Sequence, residues 1–551
     1  MVLGQEIFHV DALALTTGAC IVFFAGLTLL YSWKFALGSG GRLGYNLYLL
    51  LSLVAALGVV LTKNLVILLV CWGLSGVFLY LLIGYGTKER TPATAKKAFI
   101  IIGGTDAFMM LGVVLIGQIS DSFNMGHLRL SLAEPSALFA FLCLLMGVLA
   151  KAGMVPFHTW VPDTAEDAPT PVTAFLPAAV DKVLGVYLLA RMVLDLFLMT
   201  PGMNAVLLTL GAVTIASAGL MMLRQQDFKR LLAFCAISQA GYVLLGIGTG
   251  HPLGIAGGLF HMVNHAIYKS CLFFYGGAVE QRVQTTNLDR MGGLARPMPM
   301  IFTGFLIGSL AVSGIPPLNG FVSKWMIYQG IVEVGREGGG LWVLWLAVAM
   351  FGSALTLAGM MKTVHAIFLG QPGPDLPVAT GHHKSTPWPL WFPPLLLTAL
   401  SILFGIWAYD LPLKHLIFPI LQQTPISLDI WQPTLATVLI LTALGGGIMF
   451  YFLSRWSKTL RQTEVFIGGE TLDAVPGMRV SGSAFYDSVQ ELPVYRAFFT
   501  LAGRSDPYEV SAQFVTRLCG PLKNMHSGIL STYLSWCLMG MGVLFIVLLL
   551  R

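Results

Sequence analysis

The sequence predicts an all-α polytopic membrane protein with about fourteen transmembrane helices, and three observations carry that reading. The 551 residues are 56% hydrophobic and only 11% charged, with a mean hydropathy of +0.78. Soluble domains carry about 25% charged residues, so this chain lacks the polar surface that water demands. Apolar segments of about 20 residues, the length that crosses a hydrocarbon core of about 30 Å, recur along the whole sequence. Their length excludes a barrel, whose strands run about ten alternating residues.

In order, the expected spans are 11–33, 43–62, 64–86, 97–118, 136–157, 170–196, 204–223, 230–248, 251–278, 299–335 (interrupted), 341–366, 387–408, 433–453 and 529–550. The opening MVLGQEIFHVDALALTTGAC has no basic n-region, so residues 1–42 are expected to form a retained helix rather than a cleaved signal. From there to residue 453 the loops are short and leave no room for a soluble catalytic domain. Residues 371–453 add further helices. Residues 454–528, rich in charge, Gly and Pro (FIGGETLDAVPGMRVSGSAFYDSV), read as a polar excursion on one membrane face, and 529–551 as a last helix.

The net charge of +6 is spread through loops such as Lys88, Arg90, Lys96 and Lys97. It reads as topology bias, placing that loop on the cytoplasmic side, and no nucleic-acid partner is expected. The seven cysteines stand singly without a CxxC pair, which supports neither iron-sulfur ligation nor a disulfide framework. Ala150-Lys151-Ala152-Gly153-Met154-Val155-Pro156 is echoed by Ala311-Val312-Ser313-Gly314-Ile315-Pro316-Pro317. Paired interruptions in two halves point to an ion site in transporters.

Ionisable groups inside membrane helices are costly and mark function. Lys151 precedes a helix-breaking Pro, where freed carbonyls and water can solvate an ammonium; a lysine snorkelling to the interface is the plainer reading. Asp181 and Lys182 sit together in FLPAAVDKVLGVYLLAR; as helix neighbours they point about 100° apart and need not pair with each other, and a polar clasp between helices is the alternative. His261, His265 and Lys269 recur every four residues in one segment, so they share one helix face. Histidines at that spacing also suit a metal, but Lys in place of a third ligand favours a proton relay. Lys324 follows a Pro-Pro break. Asp227, Lys229 and Arg230 read as a charged helix start, and His158 follows the first break.

KAGMVPFHTWVPD, APTPVTAFLPA, DFKRLLAFCAISQAGYVLLG, HMVNHAIYKSCLFFYGG and GIPPLNGFVSKW closely resemble the antiporter-like subunits shared by respiratory complex I, multisubunit cation/proton antiporters and energy-converting membrane-bound hydrogenases. The resemblance covers roughly residues 43–370. It implies two inverted five-helix repeats, 43–200 and 201–370, each with a broken helix, joined by a hydrophilic axis. By motif position it implies that Lys151, His261, His265, Lys269 and Lys324 carry protons; the residues themselves add Asp181 and Lys182 to that pathway, with His158, Asp227 and Lys229 in support. One departure stands out: the family places a glutamate after the Trp of a WE motif, and CWGLSGVFLYLLIGYG has Gly73 there. Asp181, where the family commonly has a neutral residue, is expected to supply the missing charge.

The implied function is proton or sodium translocation in the membrane arm of an energy-converting redox complex, closest to the hydrogenase and formate-hydrogenlyase branch. No cofactor is expected in this chain; iron-sulfur clusters and nickel belong to partner subunits. The expected partners are other membrane-arm subunits, a peripheral redox module and lipid, in a prokaryotic cytoplasmic membrane. A cation/proton antiporter subunit, a membrane partner for inorganic-carbon uptake and a structural subunit that has lost transport are the alternatives.

Overall fold

The computed structural model describes residues 10–35, 41–371 and 386–421, with scattered single positions beyond 437. The first of two compact units, Met1–Leu492, holds every helix with a described boundary; the second is Pro493–Arg551. The expected spans 433–453 and 529–550 and the polar excursion 454–528 lie outside the described residues, apart from those single positions.

Each expected span from 11 to 408 falls on a helix or on a broken pair of helices. In order these are α1 (Ala12–Ser32), α2 (Arg42–Leu61), α3 (Leu65–Ile83), α4 (Thr91–Ser120), α5 (Pro135–Ala152), α6 (Trp160–Asp167), α7 (Thr170–Phe175), α8 (Asp181–Arg191), α9 (Pro201–Arg224), α10 (Phe228–Gly248), α11 (Pro252–Val283), α12 (Pro299–Ser313), α13 (Asn319–Arg336), α14 (Trp342–Val364) and α15 (Trp388–Ile406). Among the described residues ten helices are long and apolar enough to cross a membrane, and the chain is an integral membrane protein. α11, with 32 residues, is longer than any of them but spends part of its length on His261, His265 and Lys269.

Side-chain hydrogen bonds set several helix starts. Asp11, Asn64, Thr200 and Asp227 each accept from backbone N–H groups one turn on, satisfying donors that a helix start leaves free. Features then recur between the two halves. The α3 cap Asn64 bridges to Asn124, and the α10 cap Asp227 bridges in the same antiparallel sense to Asn287. α4 ends on left-handed Asp121, just ahead of Asn124, and α11 ends on left-handed Gln284, just ahead of Asn287.

The two helix breaks also match. Gly153 (φ 64) and Gly314 (φ 85) end α5 and α12 in the left-handed region that glycine reaches without a Cβ penalty. Behind each, the next N–H closes on the helix: Met154 donates to the Leu149 carbonyl at 2.8 Å and Ile315 to the Leu310 carbonyl at 3.1 Å. The interruption expected within 136–157 therefore falls at Gly153, ahead of Pro156, because the left-handed glycine turns the chain before the proline is reached.

The interior is built from α7, α8, α10 and α11. α10 is buried along nearly its whole length, and the run Thr170–Leu196 is interior over its whole apolar window. Between α7 and α8 the backbone widens into a π-turn at Leu176–Val180, a device that often re-aims side chains at functional sites; Asp181 follows it directly. α4 turns Phe99, Ile100, Phe108, Met110, Leu111 and Val114 outward, and α14 does so with Val343, Leu344, Met350 and Phe351. Such faces are stable only against lipid or another apolar helix.

Candidate functional site

Seven ionisable side chains predicted to act are sealed in this interior: Lys151, Asp181, Lys182, His261, His265, Lys269 and Lys324 are all buried. Their placement follows from the breaks. Lys151 lies in the last turn of α5, Lys324 in the second turn of α13, and Asp181 with Lys182 opens α8 beyond the π-turn.

In the first half, the Lys151 ammonium donates to Ser75 Oγ at 2.5 Å and to the Trp72 carbonyl at 3.4 Å. It also stands 5.4 Å from the centre of the Trp72 ring and 3.6 Å from Asp181 Oδ1. Gly73 offers this lysine nothing: a Cβ there would meet no atom within 4 Å, whereas one at Gly76 would lie 4.0 Å from Lys151 Nζ. The carboxylate facing Lys151 comes from α8 instead of α3.

The carbonyls freed at the break do not go to Lys151, contrary to the expectation. Lys182 Nζ takes the Ala152 carbonyl at 2.6 Å and Trp160 Nε1 the Ala150 carbonyl at 3.0 Å. Asp181 and Lys182, neighbours in sequence, thus serve different partners, as their separation of about 100° allows.

The second half repeats part of this arrangement. Lys324 Nζ donates to the carbonyls of Val312 and Ser313, at 3.0 and 3.4 Å, and so caps α12 as Lys182 caps α5. On α11, His261 Nδ1 pairs with Ser323 Oγ at 2.8 Å and its Nε2 with the Tyr268 hydroxyl at 3.1 Å. His265 Nε2 meets the Ala236 carbonyl at 3.2 Å, and Lys269 donates to the Leu232 carbonyl at 3.4 Å and lies against the Cys235 thiol. Each imidazole is thus engaged by the protein itself, and among the described residues no group of three His, Cys, Asp or Glu is placed to hold a metal ion. An Asn264–Asn319 amide pair at 3.0 Å fastens the start of α13 to α11.

The halves are in electrostatic contact. Lys182 acts on Lys269 and on His265, His265 on His261, His261 on Lys324, and Lys269 on Lys324. These groups thus form a buried row from Lys151 to Lys324 whose members lie within electrostatic range of one another, with Asp181 facing Lys151.

Asp227, Lys229 and His158 lie outside that row. His158 is in the connection between α5 and α6. Asp227 caps α10, and Lys229 donates to the Ala168 carbonyl at 3.0 Å and to Glu280 at 3.4 Å. They belong to an ion cluster on one membrane face. Within it, Asp163, Glu166 and Asp167 of α6 are gripped by Lys88, Arg90 and Lys97 on one side and by Arg230 of α10 on the other. Burial pushes the Glu166 carboxyl up, but the Arg230 hydrogen bond and the charges of Lys88, Arg230 and Arg90 outweigh it and hold the group below the usual carboxylate range.

Asp106 was not singled out from the sequence. It accepts from Trp72 Nε1 at 2.9 Å and acts electrostatically on Lys151. It stands on α4 as far ahead of the terminal Asp121 as Lys269 stands ahead of the terminal Gln284 on α11. The signal was present, since Asp106 is a carboxylate inside the apolar run IIIGGTDAFMML.

Two matched helical halves enclosing a charged row define a polytopic membrane protein built around an internal polar axis. The chain belongs to the family described as NADH:quinone oxidoreductase/Mrp antiporter, TM, which matches residues 62–356. It is 32% identical over 421 residues to the Na(+)/H(+) antiporter subunit A1 of Staphylococcus haemolyticus, covering 72% of this chain and 52% of that protein. To the subunit A1 of Staphylococcus aureus it is 31% identical over 421 residues with the same coverage. The chain therefore spans about half the length of the curated relatives it matches.

Among solved structures, a chain of the membrane-bound sulfane sulfur reductase, an archaeal respiratory membrane complex, aligns over 100% of this chain and 90% of its own, with TM-score 0.83 and 23% identity. A chain of the Mrp complex from Dietzia aligns over 76% and 85%, with TM-score 0.68 and 21% identity. One of respiratory complex I from Thermus thermophilus aligns over 75% and 88%, with TM-score 0.61 and 25% identity.

Proposed function

We propose that this chain is the ion-translocating, antiporter-like subunit of a multisubunit complex in the cytoplasmic membrane of a prokaryote, and that protons pass along the buried row. The observation that carries this reading is the set Lys151, Asp181, Lys182, Lys269 and Lys324, all buried, with Asp181 facing Lys151 and with Lys269 close enough to Lys182 and to Lys324 for their charges to interact. Isolated charges so deep in a membrane protein are costly, and a set of buried amines of which only Lys151 faces a carboxylate suits proton carriage better than a structural clasp, which would pair each with an acid. Lys151 with Asp181 forms the first half-channel, Lys182, His265, Lys269 and His261 the connection, and Lys324 the far end. Asp181 takes the place of the carboxylate absent at Gly73.

In the redox-driven form, electron transfer in a peripheral module drives this movement, with iron-sulfur clusters, and nickel in the hydrogenase type, held by partner subunits. The motifs are common to this form and to the antiporters and do not separate them. The relatives named Na(+)/H(+) antiporter subunit A1 favour a second reading, a cation/proton antiporter without redox partners. Purifying the tagged chain with its partners and measuring bound iron and nickel separates the two: iron-bearing partners support the first, metal-free membrane partners the second. Translocation itself is tested by Lys269→Ala in the intact complex. The assignment requires that proton movement fall at least tenfold while the subunit still assembles, and full proton movement defeats it.

A further inference from the structure

The far end of the row has a structure of its own. Lys324 Nζ lies 4.6 Å from the centre of the Tyr242 ring, within the range of cation–π attraction. The same ring is 5.6 Å from the His261 imidazole. Tyr242, fully buried on α10, thus packs against both His261 and Lys324. Its hydroxyl is fixed from α14, donating to the Ala349 carbonyl at 2.5 Å and sharing a hydrogen bond with Ser353 Oγ at 2.9 Å. Tyr328 holds the same Ser353 oxygen at 2.7 Å.

Beyond this cluster lies a cavity of about 460 Å³ whose wall includes Lys324, Tyr328, Gln329, Ser353, Glu333 and Arg336. Tyr242, His261 and Ser323 are not in that wall. α11 ends at the ion-cluster face, where Glu280 pairs with Lys229, and α12 and α13 together cross away from it, so the cavity at the end of α13 serves the opposite face.

We propose that Tyr242 is the septum at the outer end of the pathway: its ring, pinned by Ser353 and Ala349, lies behind the Lys324 side chain that faces the cavity, separates that cavity from His261 and Ser323, and holds the Lys324 ammonium against it, leaving Lys324 as the crossing point. Tyr242 is a positioning residue here. Its hydroxyl is already committed to α14, whereas its ring touches both groups between which charge must pass. This assigns a device to the site proposed above, but the barrier itself is a property of the fold and can be measured without transport.

The test is thiol accessibility in the intact complex in membrane vesicles, using a charged methanethiosulfonate reagent presented at the cavity face. Rates are measured against the same chain without the added cysteine, which subtracts the native thiols. Gln329→Cys, in the cavity wall, is expected to be modified readily. Ser323→Cys, behind the ring, is expected to react at least tenfold more slowly with Tyr242 or Tyr242→Phe, and to approach the Gln329→Cys rate with Tyr242→Ala. Fast modification of Ser323→Cys with Tyr242 intact overturns the septum, and this arm needs no change at Tyr242. Unchanged protection in Tyr242→Ala, with Gln329→Cys still reacting normally to show that the cavity is formed, overturns it equally. Full transport by Lys324→Ala would remove the carrier role of Lys324 while leaving these rates as they are, so the two failures are distinguishable.

Discussion

Replacing Asp181 by Asn removes one charge while keeping the shape of the side chain, and the geometry sets the size of the effect. At 3.6 Å from Lys151, with an effective dielectric of about 20, the attraction between the two charges is about 4 to 5 kcal/mol. Breaking a buried pair by removing one partner costs about 3 to 5 kcal/mol, because the remaining charge is left uncompensated. Ser75 Oγ and the Trp72 carbonyl still hold the ammonium and recover part of this. If only about 1.4 kcal/mol reaches the barrier for passage, translocation falls about tenfold.

The assay is proton movement in vesicles containing the intact complex, followed with a ΔpH-sensitive dye, beside thermal unfolding of the purified subunit. Asp181→Asn should lower both, and Lys151→Met/Asp181→Asn should recover the stability, since the neutral pair leaves no buried charge. Wild-type translocation and an unchanged unfolding midpoint in Asp181→Asn would refute the idea that Asp181 replaces the carboxylate missing at Gly73.

Asp106→Asn leaves an acceptor for Trp72 but removes a charge that acts on Lys151; translocation should drop by about three- to tenfold, a barrier change of about 0.7 to 1.4 kcal/mol, and normal rates would take Asp106 out of the pathway. Gly153→Ala forces a Cβ into a left-handed position and within 2.4 Å of Val161 Cγ2. The left-handed conformation alone costs about 1 to 2 kcal/mol, so the unfolding midpoint must fall by at least about a degree; a midpoint equal to wild type would mean that the break can re-form without glycine. The Glu166 carboxyl, held below its usual range, contributes stability that is present above its unfolded value and lost as pH falls through the lower folded value. Unfolding midpoints measured from pH 7 downward should show Glu166→Gln less stable at neutral pH and converging on wild type in acid, and parallel curves would show that the cluster around α6 contributes nothing.

Much of this molecule is written in the order of its residues. Apolar length marks the helices from α1 to α15 except the short, acidic α6, because lipid tolerates no backbone with unsatisfied hydrogen bonds. The four-residue spacing of His261, His265 and Lys269 places them on one face of α11 because helical geometry is local. Asp106 was legible by the same rule that picked out Lys151 and Asp181, an ionisable group in an apolar run.

The tertiary structure alone decides which charges meet. Lys151 of α5 faces Asp181 of α8, while Lys182 turns to the carbonyl of Ala152; that division depends on where the π-turn at Leu176–Val180 rotates α8, which no local pattern specifies. Tyr242, an unremarked aromatic in SQAGYVLLG, becomes a barrier only because α11, α13 and α14 close around it. Helices are set by interactions within a few residues, whereas the field at a buried charge sums over every element packed against it.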